Sequence, residues 1–172
     1  MSDPANAYPH KNHVRLIRAF REFRQLHPEE PIRLVMTGQI SPAVEQELSS
    51  VRREEGVEHL GFVSTERKEE LFRGCRAVVF PSLFEGFGIP IIEGLQQGKR
   101  VLCHRLPVFE ELVGDEVLYC DARSEEGLRG GLERLLRSED LPPIDAERRR
   151  EILARLTWEE FARGLLRELR GD

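Results

Sequence analysis

The strongest constraint on the fold is an alternation of two sequence patterns that begins after residue 30. Short apolar segments rich in β-branched residues alternate with longer segments whose apolar residues recur at helical spacing. The strand-like segments are residues 32–37, 57–60, 77–80, 100–103 and 117–120. This alternation predicts an α/β domain, a Rossmann-like doubly wound fold with a mostly parallel sheet. Segment 77–80 is apolar throughout, so we expect it to be covered on both faces.

Capping residues mark where the helices should begin. The predicted helix over residues 13–26 has apolar residues at near-helical spacing. Further helix starts are indicated at Pro42, Ser64, Pro90, Ser124, Asp145 and Thr157, with Gly98 closing the helix that Pro90 opens. We therefore predict a Rossmann-like domain over residues 1–141. Residues 142–172 are predicted to form a C-terminal helical pair, packing on that domain or toward another domain.

Composition excludes several classes of protein. The chain has 172 residues, 33% of them charged, and a net charge of −5. Arginine and glutamate are interleaved, so no basic face for nucleic acid is expected. No apolar run approaches the roughly 20 residues of a membrane-spanning helix. The three cysteines show no C-x-x-C spacing and have apolar neighbours, which is typical of reduced cysteines in a cytosolic protein.

Residues 80–93, with the sequence FPSLFEGFGIPIIE, run from a predicted strand through a glycine loop into a helix. Gly86 and Gly88 would allow close backbone approach and positive φ angles. Free backbone amides at the helix start, from Phe87 to Ile89, can receive a phosphate or sugar hydroxyls, whereas Pro90 has no amide to offer. The segment is therefore suited to a phosphorylated ligand.

Glu85 and Glu93 are unusual beside a phosphate site, because carboxylates repel phosphates. A carboxylate is a good acceptor for two adjacent hydroxyls, as on a ribose or a hexose. The alternative is that Glu85 only favours the helix dipole and Glu93 is a solvated helix residue. The glycine and proline residues around this pair favour the ligand-binding interpretation.

Lys11 precedes the first predicted helix, where it could place a cation at the ligand edge of the sheet; alternatively it is a solvated lysine. His10 and His13 have a spacing that could bind a metal. Since no third ligand is near in sequence, capping or surface roles are favoured. The chain has no G-x-G-x-x-G after a strand and no Walker lysine motif, which weakens the dehydrogenase and NTPase interpretations.

The chain resembles the C-terminal, donor-binding domain of retaining GT-B glycosyltransferases, in particular glycosyltransferase family four (group 1). Several segments carry the resemblance in the same order along the chain. They are PHKNH at 9–13, LGFV at 60–63, the E-x7-E signature at 80–93, ELVGDEVLYCD at 111–121 and TWE at 157–159.

The resemblance implies a role for each matching residue. Lys11 would bind the donor diphosphate and, with Glu85, is the expected catalytic residue. Glu85 would hold hydroxyls of the transferred sugar, and Glu93 would hold the ribose diol. The other expected donor-binding residues are Gly86, Phe87, Gly88 and Ile89 of the loop, Val63, whose backbone would meet the base, and Asn6, which stands where the family usually has an arginine.

The resemblance also implies a partner domain. Enzymes of this family have two Rossmann-like domains facing across a cleft, and this chain matches the second. We expect the N-terminal, acceptor-binding domain to be missing, the chain to begin where the first strand of its own domain would end, and the chain alone to be inactive. The expected location is the cytoplasm, with peripheral attachment to the inner membrane through the missing half as an open alternative.

The implied reaction transfers a hexose from a nucleoside-diphosphate-sugar to an acceptor hydroxyl with retention of configuration, in polysaccharide or glycoconjugate synthesis. No metal and no cofactor are expected. One alternative is a nucleotide-sugar binding or assembly module without activity of its own. Another is a related epimerase or phosphorylase, but the pyridoxal lysine of a phosphorylase has no suitable motif around Lys68 or Lys99.

Overall fold

The computed structural model describes residues 9–137 and 146–156. Its strands are β1 (Leu34–Met36), β2 (Val57–His59), β3 (Ala77–Phe80), β4 (Arg100–His104) and β5 (Leu118–Cys120). Its α-helices are α1 (His13–Leu26), α2 (Pro42–Ser49), α3 (Thr65–Gly74), α4 (Ile89–Gln96), α5 (Pro107–Val113), α6 (Glu125–Leu136) and α7 (Ala146–Arg155). Short 3-10 turns lie at Pro9–Lys11, Arg53–Glu55 and Gly114–Glu116.

All strand pairs among the described residues are parallel, as predicted. They form two sections, β1–β2 and β3–β4–β5, rather than one continuous sheet. Leu34 pairs with Val57 in the first section, and Leu102 pairs with Leu118 in the second. Each of the five predicted strands is present, with ends that differ by up to two residues from the predicted ones. The α/β fold class is confirmed.

Serine side chains cap the N-termini of three of the helices. Ser41, Ser64 and Ser124 each accept a hydrogen bond from the backbone amide three residues ahead. Each bond satisfies one of the free amides of a first helical turn, which explains why these helices begin where they do. The predicted caps at Asp145 and Thr157, like the proposed boundary at residues 141 and 142, lie outside the described residues.

Helices cover both faces of the β3–β4–β5 section. On one face Leu102 packs with apolar residues of α1 and α6, among them Phe20 and Leu128. On the other face Val101 and Cys103 pack with residues of α4 and α5. Helix α7 joins this second core through the buried Ile152. Helix α5 was not predicted, because its seven residues are too few for a clear helical period.

Strand β3 is covered on both faces, as predicted. Ala77 and Val79 pack against the core formed with α1 and α6, and Val78 and Phe80 pack against the core formed with α4 and α5. All four residues are nevertheless only half-buried. Among the described residues β3 pairs with β4 alone, so its other edge has no strand beside it, and this open edge leaves the flanks of its side chains partly exposed. Strand β1 likewise pairs with β2 alone among these residues.

The cysteines fit the prediction of reduced core residues at two of three positions. Cys103 and Cys120 are buried, and no disulfide forms among the three thiols. Burial raises the pKa of Cys103 to about 12 and that of Cys120 to about 11, so both are protonated at neutral pH. Cys75 is only half-buried.

Candidate functional site

The site is built where β3 ends and α4 begins. Pro81 and Ser82 are buried directly after the strand, and the chain then loops outward before α4 starts at Ile89. Gly88 caps α4 with a φ of +87°, and an added Cβ there would lie 2.6 Å from Cε1 of Phe109. Gly88 therefore has the positive φ that the sequence predicted, and it also lies against the Phe109 ring.

Gly86 does not share these properties. It is absent from the positive-φ glycines of the chain, and a Cβ at this position meets no atom within 4 Å. The predicted positive φ at Gly86 is therefore wrong. The residue lies exposed in the loop, where the backbone turns outward without needing a left-handed conformation.

Hydrogen bonds fasten the start of α1 to the end of β3. Asn12, in a left-handed conformation with φ 62°, donates from Nδ2 to the carbonyl of Pro81 at 3.2 Å and to that of Ala122 at 2.6 Å. The backbone amide of Leu83 donates to the carbonyl of His10 at 2.8 Å. These bonds fix the turn at Pro9–Lys11 against the loop after β3, although the two segments lie about 70 residues apart in sequence.

Lys11 and Glu85 meet as a consequence. Lys11 Nζ lies 2.5 Å from Glu85 Oε1, with 27% and 13% of the two side chains exposed. The same ammonium lies 5.5 Å from the centre of the Phe80 ring. A cation and a carboxylate predicted separately are thus brought into one partly shielded ion pair beside the glycine loop.

Glu93 forms a second ion pair, which the sequence analysis missed. Lys68 Nζ, from α3, lies 2.5 Å from Glu93 Oε1, from α4. In the sequence, Lys68 stands out only as a candidate pyridoxal lysine without a suitable motif. The available signal was that α3 and α4 flank β3 in sequence and that Glu93 is the one charged residue of α4, but only the folded structure shows that it meets Lys68.

The remaining predicted residues lie in the loop after β2 or in the loop leading into α4, except Asn6. Val63 is half-buried in the loop between β2 and α3, whereas Phe87 and Ile89 are exposed at the start of α4. Asn6 lies outside the described residues.

Burial lowers the pKa of His13, and the nearby Lys11 and His59 lower it further, so His13 is neutral at pH 7.

A separate cavity of about 390 Å³ lies at the ends of β4 and β5. Its lining includes His104, Arg105, Tyr119, Asp121, Arg123 and Arg134. Two of its arginines are paired with acids, Arg105 with Glu110 and Arg123 with Asp121. The third, Arg134, donates to the carbonyl of Tyr119. The cavity thus contains none of the predicted site residues, and its arginines already have partners.

Comparison with known proteins gives the class of this domain. Its fold matches the C-terminal domain of a group 1 glycosyl transferase, LpcC of Francisella tularensis, with a TM-score of 0.70, 18% identity, 87% of this chain and 80% of that one covered. It also matches Anabaena HepE solved with UDP, with a TM-score of 0.73, 17% identity and 98% of this chain covered, but only 47% of that one. The domain has the fold of the C-terminal half of a GT-B glycosyltransferase.

Sequence comparison then identifies the family. Residues 4–152 match the family described as glycosyl transferases group 1, and the chain belongs to that family. It is 30% identical over 107 residues to O-antigen chain mannosyltransferase B of Escherichia coli, covering 62% of this chain and 28% of the relative. It is 27% identical over 138 residues to O-antigen chain mannosyltransferase RfbU of Salmonella typhimurium, covering 79% and 37%. The chain therefore spans about a third of the length of these relatives.

Two further findings concern the described residues. No helix in residues 9–137 or 146–156 combines the length and the apolar character needed to cross a membrane. Within the same ranges no three histidine, cysteine, aspartate or glutamate side chains come together in a way that would hold a metal ion.

Proposed function

We propose that this chain is the donor-binding domain of a retaining glycosyltransferase of family four, acting on a nucleoside-diphosphate-sugar. The observation that carries the proposal is the Lys11–Glu85 ion pair at 2.5 Å, held beside the glycine loop at the carboxyl end of β3. Ligands of parallel α/β sheets bind at this edge. In the proposed site, this pair would offer a cation to a diphosphate and, next to it, an acceptor to sugar hydroxyls.

Lys11 is the proposed diphosphate ligand. Its side chain is 27% exposed, so a ligand can reach it, and a phosphate would replace or share its contact with Glu85. The backbone amides of Phe87, Gly88 and Ile89 are the proposed additional donors. Pro90 has no amide, and the Ile91 amide already donates to the Gly88 carbonyl at 2.9 Å. Asn6, which lies outside the described residues, is the proposed replacement for the arginine usual at its position.

The two carboxylates are proposed to bind the two sugars of the donor. Glu85, in the loop, would accept hydroxyl donors from the transferred hexose, and Glu93, one turn into α4, would accept those of the ribose. The backbone of Val63 and the exposed Gly86 complete the proposed site around the base and the diphosphate. No metal enters this assignment, because Lys11 and the amides supply the charge for the diphosphate.

Transfer with retention passes through a cationic sugar ring and a departing diphosphate. Catalysis then depends on stabilising the negative charge that develops on the leaving group. One cation at about 4 Å contributes roughly 1–4 kcal/mol, depending on the effective dielectric constant. The acceptor domain would exclude water and position the acceptor hydroxyl, so the chain alone is expected to bind donors while transferring little sugar.

O-antigen mannosyltransferases among the relatives support a role in polysaccharide or glycoconjugate synthesis. A hexose donor is the corresponding substrate class. The proposed location is the cytoplasm, with membrane association through the remaining part of the enzyme as an open alternative.

The test is calorimetric titration of the purified chain with ADP, GDP and UDP and with the matching nucleosides, in buffer containing EDTA. We expect at least one diphosphate to bind, and its nucleoside to bind more weakly. Absence of binding for all three diphosphates at millimolar concentration would contradict the proposal. If a diphosphate binds but no sugar is transferred even after the acceptor domain is supplied, the alternative of a binding module without catalysis is favoured.

A further inference from the structure

We infer that Lys68 is a positioning residue of the donor site, which orients Glu93 and neutralises its charge beside the diphosphate. The inference rests on the proposed function. Lys68 Nζ lies 2.5 Å from Glu93 Oε1, and the two residues come from helices on either side of β3. No motif in the sequence marks Lys68.

The Lys68–Glu93 pair offsets the second of two negative charges at the site. Two carboxylates, Glu85 and Glu93, lie near the start of α4, and each has a lysine at 2.5 Å. A diphosphate arriving beside two unpaired carboxylates would be repelled by both. With Lys11 and Lys68 in place, the four side chains have no net charge, and the helix-start amides add partial positive charge.

The contact also fixes the plane of the Glu93 carboxylate. Lys68 occupies one acceptor position of Oε1 and leaves the other positions for two hydroxyl donors. A carboxylate held in one orientation loses less rotational freedom when it accepts a diol. Glu93 is 27% exposed and Lys68 43% exposed, so a ligand can reach the pair.

Lys68 is distinguished from neighbouring lysines and arginines by its partner. Arg67, the preceding residue, pairs with Glu70 of its own helix at 2.8 Å, and both of these side chains are more than half exposed. Lys99 donates to the backbone carbonyl of Arg73 at 2.7 Å. Neither contact involves a proposed donor-site residue, so Arg67 provides a matched control on the same helix.

The test is a double-mutant cycle on the full 172-residue chain, using the diphosphate among ADP, GDP and UDP that binds the wild type most tightly. Lys68→Met should weaken binding of that diphosphate about two- to fivefold, the range expected for a partly exposed ion pair. Lys68→Arg should restore most of the loss, and Arg67→Met should leave the affinity unchanged. Binding of the bare nucleoside should change less, since much of the effect is repulsion of the diphosphate by uncompensated Glu93.

The cycle with Glu93→Gln separates positioning from a general effect on the helix. If Lys68 acts through Glu93, Lys68→Met should have little further effect in the Glu93→Gln background. An equal loss in both backgrounds, or no loss in the wild-type background, would overturn the role of Lys68 while leaving the proposed function standing. If no diphosphate binds the wild-type chain, the proposed function fails first, and the role of Lys68 fails with it.

Discussion

Lys11 is the residue on which recognition of the diphosphate depends most. Its ammonium contacts Glu85 at 2.5 Å in the free chain, and a phosphate at the same point would replace or share that contact. Lys11→Ala should weaken nucleoside diphosphate binding at least about tenfold, the value of a lost charged hydrogen bond, and nucleoside binding much less. Added salt should reduce the difference in diphosphate affinity between the wild type and Lys11→Ala. The reason is that salt screens the attraction between the ammonium and the phosphates, with a Debye length of about 8 Å at physiological ionic strength.

Titration of wild type and Lys11→Ala with both ligands, at low and high salt, measures this effect. Lys99→Ala is the matched control, since the Lys99 ammonium donates to the backbone carbonyl of Arg73 and not to a proposed donor-site residue. Unchanged diphosphate affinity in Lys11→Ala, or a requirement for a divalent cation, would show that Lys11 is a solvated residue at the start of a helix.

Substitutions at Glu85 and Glu93 should distinguish the affinity contributed by the transferred sugar from the affinity contributed by the nucleotide. Glu93→Ala should weaken binding of the nucleoside diphosphate itself, whereas Glu85→Ala should mainly remove the additional affinity that the hexose gives. Each lost contact should cost about 1.5–3 kcal/mol. Calorimetry with the diphosphate and with the intact donor tests the assignment, and Glu110→Ala, whose partner is Arg105, serves as the control. Equal effects of both substitutions on both ligands would refute it.

The proposed site requires the loop before α4 to keep one backbone conformation. Gly88→Ala would place a Cβ 2.6 Å from Phe109 at a φ of +87°. The left-handed backbone and the overpacking together should lower the free energy of unfolding by about 2–4 kcal/mol. Gly86→Ala meets no atom within 4 Å and should change stability by less than about 0.5 kcal/mol. Urea denaturation compares the two variants; equal stabilities would show that Gly88 has no special conformation.

The strands differ in how their edges are covered. Strand β4 lies between β3 and β5, whereas β3 has a strand on one side only among the described residues. Amides of a parallel strand point alternately to its two edges, so alternate amides of β3 should exchange at least about tenfold faster than those of β4. Hydrogen exchange followed by NMR measures this. Uniform protection along β3, as slow as in β4, would mean that another segment pairs with its open edge.

Much of this fold follows from local sequence, because its strands and helices carry their own signals. The five strands, the cap at Ser64 and the turn at Gly98 depend on residues within a few positions of each other. The half-burial of β3 could not be predicted in this way, since it depends on which strands lie beside it. The Lys68–Glu93 pair is similar, because it depends on where the fold places α3 relative to α4.

At the scale of the whole molecule, the chain matches one part of longer relatives. It spans about a third of its O-antigen mannosyltransferase relatives, and its proposed donor site lies at one edge of the sheet. If the proposed function holds, donor binding and sugar transfer should be separable: the chain should carry the first, and the acceptor domain should be needed for the second.

The central claim is that the donor binds at the carboxyl end of β3, between Lys11 and Glu93. The most direct measurement is NMR chemical-shift mapping of the chain during titration with the nucleoside diphosphate that binds it. The largest shifts should fall at residues 10–13, at residues 82–93 and in the first turn of α3 around Lys68. Shifts centred instead on the cavity at His104, Tyr119 and Arg134 would contradict the central claim.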